Sequence, residues 1–454
     1  MFRHRISSVR LIPLSFLAAI LLGAVLLMLP ISSASGQATA FTDALFTSAT
    51  SVCVTGLTVV TTAYHWSIFG KVVIVCLIQI GGLGIITIYS LIMLLAHRRF
   101  TLSDRIVLQD ALNLRNTSGV LKFLIRVIKA TLIFELIGAA IYAIDFIPRF
   151  GITRGITISV FNSVSAFCNA GMDIIGDSSL TGFYDNPLIL ITTMFLIFAG
   201  GIGYVVWFDI ASTVKNGATK RISPRQIIRR LPEHSKLSLI ITLTLILSGG
   251  LIIFITEYSN PDTIGSMTLS QKILNSLFES ITFRTAGFNT FPQAPMRDIS
   301  CVAAYTLMFI GGSPVGTAGG VKTITFFLAV MNVVSYIRGE NDTTIFNRRI
   351  TAEQMRKSTV IISVSAVAVL IMTILLNIIN DVGLKDGLFE VISASATVGL
   401  TRDVTPILNT GGKLLITFAM YIGRIAPLSM VVFFAGQHRE DNRLKYPETK
   451  IYIG

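Results

Sequence analysis

Apolar segments long enough to cross a lipid bilayer recur along this chain, and they constrain its fold more than any other feature. A helix needs roughly 20 residues to cross about 30 Å of hydrocarbon, and Leu11–Pro30 and Lys71–Ala96 are two such segments. Only 13% of the 454 residues are charged and 52% are hydrophobic, whereas soluble domains carry roughly 25% charged residues. We therefore expect an all-α polytopic membrane protein in a lipid bilayer.

The first apolar segment follows Arg3, Arg5 and Arg10, as the h-region of a signal peptide would. It is long and lacks a convincing small-residue cleavage site, so we interpret it as a retained span. The four cysteines are scattered without a CxxC pair, which indicates neither a disulfide framework nor a zinc site.

Basic residues in alternate loops predict the orientation of the chain. Residues 97–129 hold seven basic residues against two acidic ones, and residues 215–236 hold seven against one. Residues 145–185 have no such excess. Because loops rich in lysine and arginine stay in the cytoplasm, we expect both termini to be cytoplasmic. The net charge of +13 is explained by topology, and we expect no nucleic-acid partner.

A short glycine-centred sequence occurs four times, around Gly56, Gly171, Gly287 and Gly399. These glycines are 115, 116 and 112 residues apart, which indicates one ancestral unit copied four times. A second mark follows each of them after 24 to 29 residues, at Gly81-Gly82, Gly200-Gly201, Gly311-Gly312 and Gly423-Arg424.

Each unit is predicted to contain a spanning helix, a short re-entrant helix, an extended filter strand and a returning helix. In the first unit these are Leu11–Pro30, Ala40–Ser51, Cys53–Leu57 and Lys71–Ala96. Irregular backbone at membrane depth is tolerated where protein buries it or it lines a water-filled cavity. Four parallel units predict eight transmembrane spans with pseudo-fourfold symmetry around a pore, in contrast to an inverted repeat.

The predicted segments follow from these units. They are a cytoplasmic N-terminus (1–10), pore repeat 1 (11–96), a cytoplasmic linker (97–120), pore repeat 2 (121–213), a linker (214–235), pore repeat 3 (236–336) with an intramembrane gate loop (311–323), a linker (337–355), pore repeat 4 (356–436) and a cytoplasmic tail (437–454).

The repeated glycines are suited to binding a dehydrated monovalent cation. Converging backbone carbonyls can replace the water shell of such an ion, and glycine reaches positive φ without a steric penalty. Any single one of them could be a packing glycine, but four at matched spacing favour a filter. The predicted filter residues are Cys53, Val54, Thr55, Gly56, Leu57, Cys168, Asn169, Ala170, Gly171, Thr285, Ala286, Gly287, Phe288, Thr397, Val398, Gly399 and Leu400. The predicted ion ligands are the carbonyls of Thr55, Asn169, Thr285 and Thr397.

Two arginines flank the filter, Arg284 beside the third strand and Arg402 after the fourth. A cation in the ion path would repel the permeant ion. We therefore expect both near the outer mouth, bonded to filter loops or paired with Glu279, Asp403 or Glu390.

The third unit is predicted to be the only one with a broken return helix. Residues 311–320 hold five glycines and a proline, which disfavours a continuous helix. The predicted gate residues in this loop are Gly312, Ser313, Gly316, Thr317, Ala318, Gly319, Gly320 and Lys322. The loop superficially resembles a nucleotide-binding P-loop, but we expect no nucleotide to bind there, because Val321 precedes Lys322 where that motif has glycine.

Arg424 lies in the fourth return span, where an arginine is costly and indicates a function. We predict that it contacts the glycine-rich loop and restrains the gate. Snorkelling, or a structural pairing, is the alternative.

These motifs resemble those of the Trk/Ktr/HKT superfamily of potassium transporters over nearly the whole chain. The matching sequences are Cys53–Thr58, Phe167–Gly171, Arg284–Phe288, Ala396–Thr401 and the loop Gly316–Thr323. The length and the ending Tyr446–Gly454 are most similar to the bacterial Ktr membrane subunit. Gly316, Pro314 and Ala426 depart from residues that are common in the family.

The resemblance implies potassium uptake across the bacterial inner membrane by a homodimer seated on a cytosolic ring of RCK subunits. K+ would be the transported ion, and Na+ is left open as a stimulating or co-transported ion. ATP/ADP or NAD(H) would bind only through the regulatory partner. In plant relatives a serine at the first filter position accompanies sodium transport, so Gly56 favours potassium.

Two rival functions stay open beside a channel-like transporter that is not an enzyme. One is a symporter that obligatorily couples K+ to Na+ or H+. The other is an integral-membrane enzyme, which finds little support because the spans hold few paired acids or histidines. Glu135 and Asp209 are isolated candidates.

Overall fold

The computed structural model describes residues 8–84, 87, 120–220, 223–340 and 342–425. Several predicted features lie outside these residues. They are the start of the N-terminus, nearly all of the linker 97–120, the end of the first return helix, the end of repeat 4 with Ala426, and the tail 437–454.

The described chain is built almost entirely from helices, as the sequence predicted. Its first half contains α1 (Ser8–Met28), α2 (Phe41–Cys53), α3 (Thr62–His65), α4 (Ile68–Leu83), α5 (Val120–Phe150), α6 (Ile152–Cys168), α7 (Pro187–Gly201) and α8 (Tyr204–Thr219). Its second half contains α9 (Pro224–Arg230), α10 (Glu233–Glu257), α11 (Leu269–Thr282), α12 (Asp298–Phe309), α13 (Thr323–Ile337), α14 (Ala352–Asn380), α15 (Leu384–Ser395) and α16 (Thr410–Ile425). Single 3-10 turns lie at Pro30–Ser32, Thr181–Phe183 and Thr405–Ile407, and β1 (Thr344–Ile345) pairs antiparallel with β2 (Arg348–Arg349).

Three of the described helices are long and apolar enough to cross a membrane. They are Leu121–Phe150, Glu233–Glu257 and Ala352–Asn380, and the bent pair α7–α8 passes as a fourth if it is counted as one span. Four shorter apolar helices are Pro13–Met28, Ile68–Leu83, Asp298–Phe309 and Thr323–Ile337. The chain thus has the spans of a polytopic protein, and the number eight stays a prediction.

Helix starts are specified by capping residues. Asn186 Oδ1 accepts the backbone N–H groups of Leu188 and Ile189 at 3.1 and 3.3 Å, with Pro187 at the first helical position of α7. Thr351 and Gln354 form a capping box at the start of α14. Both signals are local, although the sequence analysis placed the start of the fourth unit at residue 356, whereas α14 starts at Ala352.

Four short helices, α2, α6, α11 and α15, bury at least half of their residues. Each carries a phenylalanine at the matching position, and the four side chains are 0 to 3% exposed: Phe46, Phe161, Phe278 and Phe389. In three units a serine of the short helix packs against a glycine of the preceding long helix, where a Cβ would lie 2.4 to 2.5 Å from the serine Oγ: Gly23 with Ser48, Gly138 with Ser163, and Gly249 with Ser280. These contacts dock each short helix on the helix before it.

The second return helix is broken as well as the third, so the prediction of a single broken unit is wrong. Helix α7 ends at Gly201 and α8 starts at Tyr204, with a bend of 96° between them. Gly203 in the bend has φ +93°, and a Cβ there would lie 2.5 Å from the Pro314 carbonyl oxygen. Glycine is needed for both reasons, because L-residues disfavour this φ and the third unit's loop occupies the space.

Candidate ion pathway

The four glycine-centred segments share one backbone pattern. Each has a residue with left-handed φ two positions before a glycine that also has positive φ. The pairs are Val54 (57°) and Gly56 (106°), Asn169 (60°) and Gly171 (64°), Thr285 (70°) and Gly287 (84°), and Thr397 (55°) and Gly399 (96°). The sequence predicted one special position in each segment, and the structure has two.

The segments meet in a closed cyclic order. A Cβ built on each glycine would lie within 2.1 to 2.6 Å of a carbonyl oxygen of the next segment: Gly56 against Ala170, Gly171 against Ala286, Gly287 against Val398, and Gly399 against Thr55. The backbones therefore approach one another so closely that only glycine fits.

This ring defines which carbonyls are equivalent. Thr55, Ala170, Ala286 and Val398 each present the oxygen that faces the neighbouring glycine. The predicted ligand set was Thr55, Asn169, Thr285 and Thr397. Only Thr55 belongs to the ring of equivalent carbonyls, because Asn169, Thr285 and Thr397 each lie one residue before the ring member of their segment. Cys53 and Cys168, which were predicted as filter residues, are the last residues of helices α2 and α6.

Side-chain hydroxyl groups of the short helices form hydrogen bonds with backbone groups of the filter segments. The sequence analysis did not identify these hydroxyls. The bonds are Gly56 N–H to Thr50 Oγ1 (2.9 Å), Met172 N–H to Ser165 Oγ (3.0 Å), Gly399 N–H to Ser393 Oγ (3.1 Å) and Thr282 Oγ1–H to the Phe288 carbonyl (2.6 Å). Three of the hydroxyls lie six residues before the filter glycine, and this spacing is the signal that could have identified them.

The third segment differs from the others by one residue. Thr282 lies five residues before Gly287, and the Ala286 N–H bonds the Thr282 carbonyl four residues back. In the first segment the Thr55 N–H bonds Thr50, five residues back. The third filter loop is thus one residue shorter, so the ring is not fully symmetric.

Replacing Thr50 with Val is expected to lower the K+/Na+ selectivity of transport about 3- to 10-fold. The valine keeps the shape of the side chain but leaves the buried Gly56 N–H without its acceptor, which costs about 1–3 kcal/mol. Ion fluxes in proteoliposomes under bi-ionic conditions measure the ratio. Thr50→Ser keeps the hydroxyl and should stay at the wild-type ratio, and equal ratios in all three proteins would remove Thr50 from the support of the filter.

A cavity of about 430 Å³ opens on one side of the ring. Its lining includes all four filter glycines and three carboxylates, Asp173, Asp177 and Asp403. The residues that line it within the described chain include no lysine, arginine or histidine. We call this cavity the vestibule; its negative charge attracts cations.

Arg402 is paired differently from the prediction. Its Nε donates to Asp386 Oδ1 at 2.7 Å, and its Nη1 donates to the Gln293 carbonyl at 2.7 Å. Glu390, a predicted partner, instead accepts from the hydroxyls of Thr401 and Thr405. Arg402 therefore ties together the loops that follow the third and fourth filter segments.

Arg284 lies on the opposite side of the ring from its predicted place. Its Nη2 donates to the Gly311 carbonyl at 3.2 Å, at the start of the third unit's loop, and the residue is 7% exposed. Glu279, predicted as its partner, accepts from the Thr290 N–H (2.9 Å) and from Gln293 Nε2 (3.2 Å). The predicted pairing of these arginines with Glu279, Asp403 or Glu390 is thus wrong.

The third unit's loop, residues 310–322, packs on the side of the ring away from the vestibule. It bonds the break in the second return helix: Thr317 N–H to Gly200 O (3.2 Å), Ser313 N–H to Gly201 O (2.9 Å) and Tyr204 N–H to Val315 O (2.9 Å). Thr317 Oγ1 donates to the Phe167 carbonyl at 3.2 Å, and a Cβ on Gly319 would lie 2.1 Å from Thr397 Oγ1. The loop therefore contacts the ends of the second and fourth short helices.

Two cationic side chains hold the loop. Lys322 Nζ donates to the Ala318 carbonyl at 2.6 Å. Arg424 donates through Nη1 to the Thr317 carbonyl and through Nη2 to the Gly81 carbonyl. The predicted contact between Arg424 and the loop is thus present.

Comparison with known proteins identifies the family. A family model for TrkH, described as a cation transport protein, matches residues 11–446. The chain belongs to the TrkH/Ktr family. It is 39% identical to the potassium/sodium uptake protein NtpJ of Enterococcus hirae, over 100% of this chain and 98% of the relative. It is also 37% identical to the Ktr system potassium uptake protein B of Bacillus subtilis, over 99% of this chain and 97% of the relative.

The fold is that of the TrkH/Ktr family as well. The crystal structure of the potassium transporter TrkH from Vibrio parahaemolyticus superposes with a TM-score of 0.71, covering 95% of this chain and 86% of that one at 17% identity. The chain is therefore a membrane cation transporter of this family, and the family is one of transporters and not of enzymes.

Proposed function

We propose that this chain is the channel-like, ion-translocating subunit of a Ktr-type system for potassium uptake across the bacterial inner membrane. The observation that carries the proposal is the closed ring of four glycine-centred segments, open to an acidic vestibule on one side and covered by residues 310–322 on the other. The names of the most similar relatives, which refer to potassium or potassium/sodium uptake, support the choice of ion.

The proposed pore has four repeats of helix, pore helix, filter and helix, with pseudo-fourfold symmetry and eight spans. The cyclic order of the segments supports this arrangement. The vestibule faces outward and gathers cations, and the carbonyls of the ring replace the water shell of K+. Residues 310–322 contain nearly all of the predicted gate loop 311–323, and we call them the gate loop from here on. They close the pathway on its cytoplasmic side, which is also the side of both termini.

Regulation comes from partners in this proposal. The relatives named as Ktr system proteins imply a second component, and we propose a homodimer seated on a cytosolic RCK ring, with any ATP/ADP or NAD(H) bound there. Sodium stimulates uptake or accompanies potassium, as the name of the Enterococcus hirae relative suggests.

Uptake driven by voltage alone tests the proposal. Protein in liposomes should accumulate K+ under an inside-negative potential, without a sodium or proton gradient, and more so when an RCK subunit is present. Uptake that requires a sodium or proton gradient would instead establish the coupled symporter. The matching assay in cells is complementation, at limiting K+, of a bacterium that lacks potassium uptake. Absence of growth both with and without a co-expressed RCK subunit would contradict the assignment.

A further inference from the structure

Tyr204 connects the gate loop to the first return helix. It is the first residue of α8, directly after the bend at Gly203, and it is 3% exposed. Its backbone N–H donates to the Val315 carbonyl at 2.9 Å, and its Oη donates to the Gly82 carbonyl at 3.3 Å. One residue thus bonds the loop with its backbone and α4 with its side chain.

The acceptors on α4 are unusual in their position. The carbonyls of Gly81 and Gly82 lie in the last turn of α4, which ends at Leu83 in the part of the chain that the structure describes, and the final carbonyls of a helix are those that generally lack a donor within it. Inside a membrane protein such carbonyls need donors from elsewhere. Arg424 supplies one to Gly81, and Tyr204 supplies one to Gly82.

Both donors also hold the gate loop. Arg424 bonds the Thr317 carbonyl and Tyr204 bonds the Val315 carbonyl, two residues apart. The loop is therefore fixed to two successive carbonyls of α4 by two residues from different repeats. The ring of Tyr204 is itself fixed, since it packs edge-on against Trp207 at 5.1 Å, and Trp207 Nε1 donates to the Ala199 carbonyl at 2.9 Å.

We propose that Tyr204 is a second positioning residue of the gate, which acts with Arg424 to hold the loop closed against the end of α4. The proposal rests on the function proposed above for the gate loop. When the loop leaves the break at residues 200–204, the Val315 bond is lost and Tyr204 is free to move from Gly82. The closed state is favoured because both bonds lie in a low-dielectric interior.

We call the two bonds of Tyr204, to the Val315 and Gly82 carbonyls, the clamp. Tyr204→Phe tests it, because the substitution removes the hydroxyl and keeps both the aromatic ring and the backbone bond to Val315. K+ flux into liposomes without any regulator should rise about 3- to 10-fold, the range expected when one hydrogen bond of the closed state is lost. The K+/Na+ selectivity should not change. Tyr421→Phe is the matched control, since Tyr421 Oη also donates to a backbone carbonyl, but to that of Pro13 at 2.9 Å, which belongs to α1.

Hydrogen exchange of residues 311–322 supplies a readout that does not depend on flux. Exchange should be faster in Tyr204→Phe than in Tyr421→Phe, and equal exchange overturns the clamp even if the variant transports poorly. Unchanged or lower flux in Tyr204→Phe, with raised flux on deletion of residues 317–320, also overturns the clamp while leaving the gate. Unchanged flux both in Tyr204→Phe and in the deletion of residues 317–320 overturns the assignment of the loop as a gate.

Discussion

Gly56→Ser is expected to lower the K+/Na+ selectivity of transport by at least about tenfold. Gly56 has φ +106°, and a Cβ there would lie 2.6 Å from the Ala170 carbonyl oxygen and 3.2 Å from Gly171 Cα. Such a contact forces the carbonyl or its segment to shift, which changes the spacing of the oxygens that replace the ion's water shell. A tenfold change in this ratio corresponds to a change of about 1.4 kcal/mol in the free-energy difference between K+ and Na+ at the filter. Displacing one carbonyl ligand of the ion is sufficient for a change of this size. Flux ratios measured in liposomes with K+ on one side and Na+ on the other give the result.

Gly36→Ser is the matched control for this change. Gly36 also has positive φ, +70°, but a Cβ there meets no atom within 4 Å. Both variants therefore carry the backbone strain of a left-handed serine, which costs about 1–2 kcal/mol, and only one of them crowds the ring. Selectivity should stay at the wild-type value in Gly36→Ser, and a wild-type ratio in Gly56→Ser would remove this segment from the filter.

The sequence was sufficient for the features of the fold that have local or periodic causes. The fourfold spacing of the glycines placed the filter segments, and the glycines and proline of residues 311–320 placed the third break. The break after Gly201 was missed because its cause is distant. Gly203 is needed where Pro314, more than 100 residues later, approaches the backbone. A Gly-Gly-Ile-Gly sequence alone does not separate such a break from ordinary helix packing.

The details of the candidate site depend on contacts that the sequence does not encode locally. Arg402 pairs with Asp386 at the start of its own short helix, while the nearer Asp403 has positive φ and lines the vestibule. The second left-handed position falls on Asn169, which tolerates that conformation, but also on Val54, Thr285 and Thr397, which do not favour it. It follows from the way each short helix ends and not from the residue type.

The two sides of the ring are supported by different means, and this has a consequence for function. On the vestibule side, buried carboxylates such as Glu390 and Glu279 fix the loops after the filter. On the other side the loop is held largely by bonds between backbone groups and by Arg424 and Tyr204. A few side chains can therefore release the loop without disturbing the filter.

Deletion of Thr317–Gly320 is accordingly expected to raise K+ flux without a regulator by about tenfold or more. The deletion removes the acceptor of Arg424, the bonds of Thr317 to Gly200 and Phe167, and the close contact of Gly319 with Thr397. Thr397 belongs to the fourth filter segment, but the ring carbonyl of that segment is that of Val398, and the Gly399 N–H keeps its bond to Ser393. Selectivity for K+ over Na+ should therefore stay near the wild-type value. Flux and selectivity are measured together in liposomes under an inside-negative potential.

Selectivity separates an opened gate from a damaged protein in this experiment. A nonspecific leak would pass Na+ as readily as K+, whereas an open pathway behind an intact ring retains the discrimination. Arg424→Gln should give a smaller rise in K+ flux, also without a change in selectivity. It loses the charged guanidinium group that donates to both the Thr317 and Gly81 carbonyls, but the loop itself is still present. Unaltered or abolished flux in a folded deletion variant would mean that residues 310–322 are a structural brace, and control of the pathway would then have to lie elsewhere in the chain or its partners.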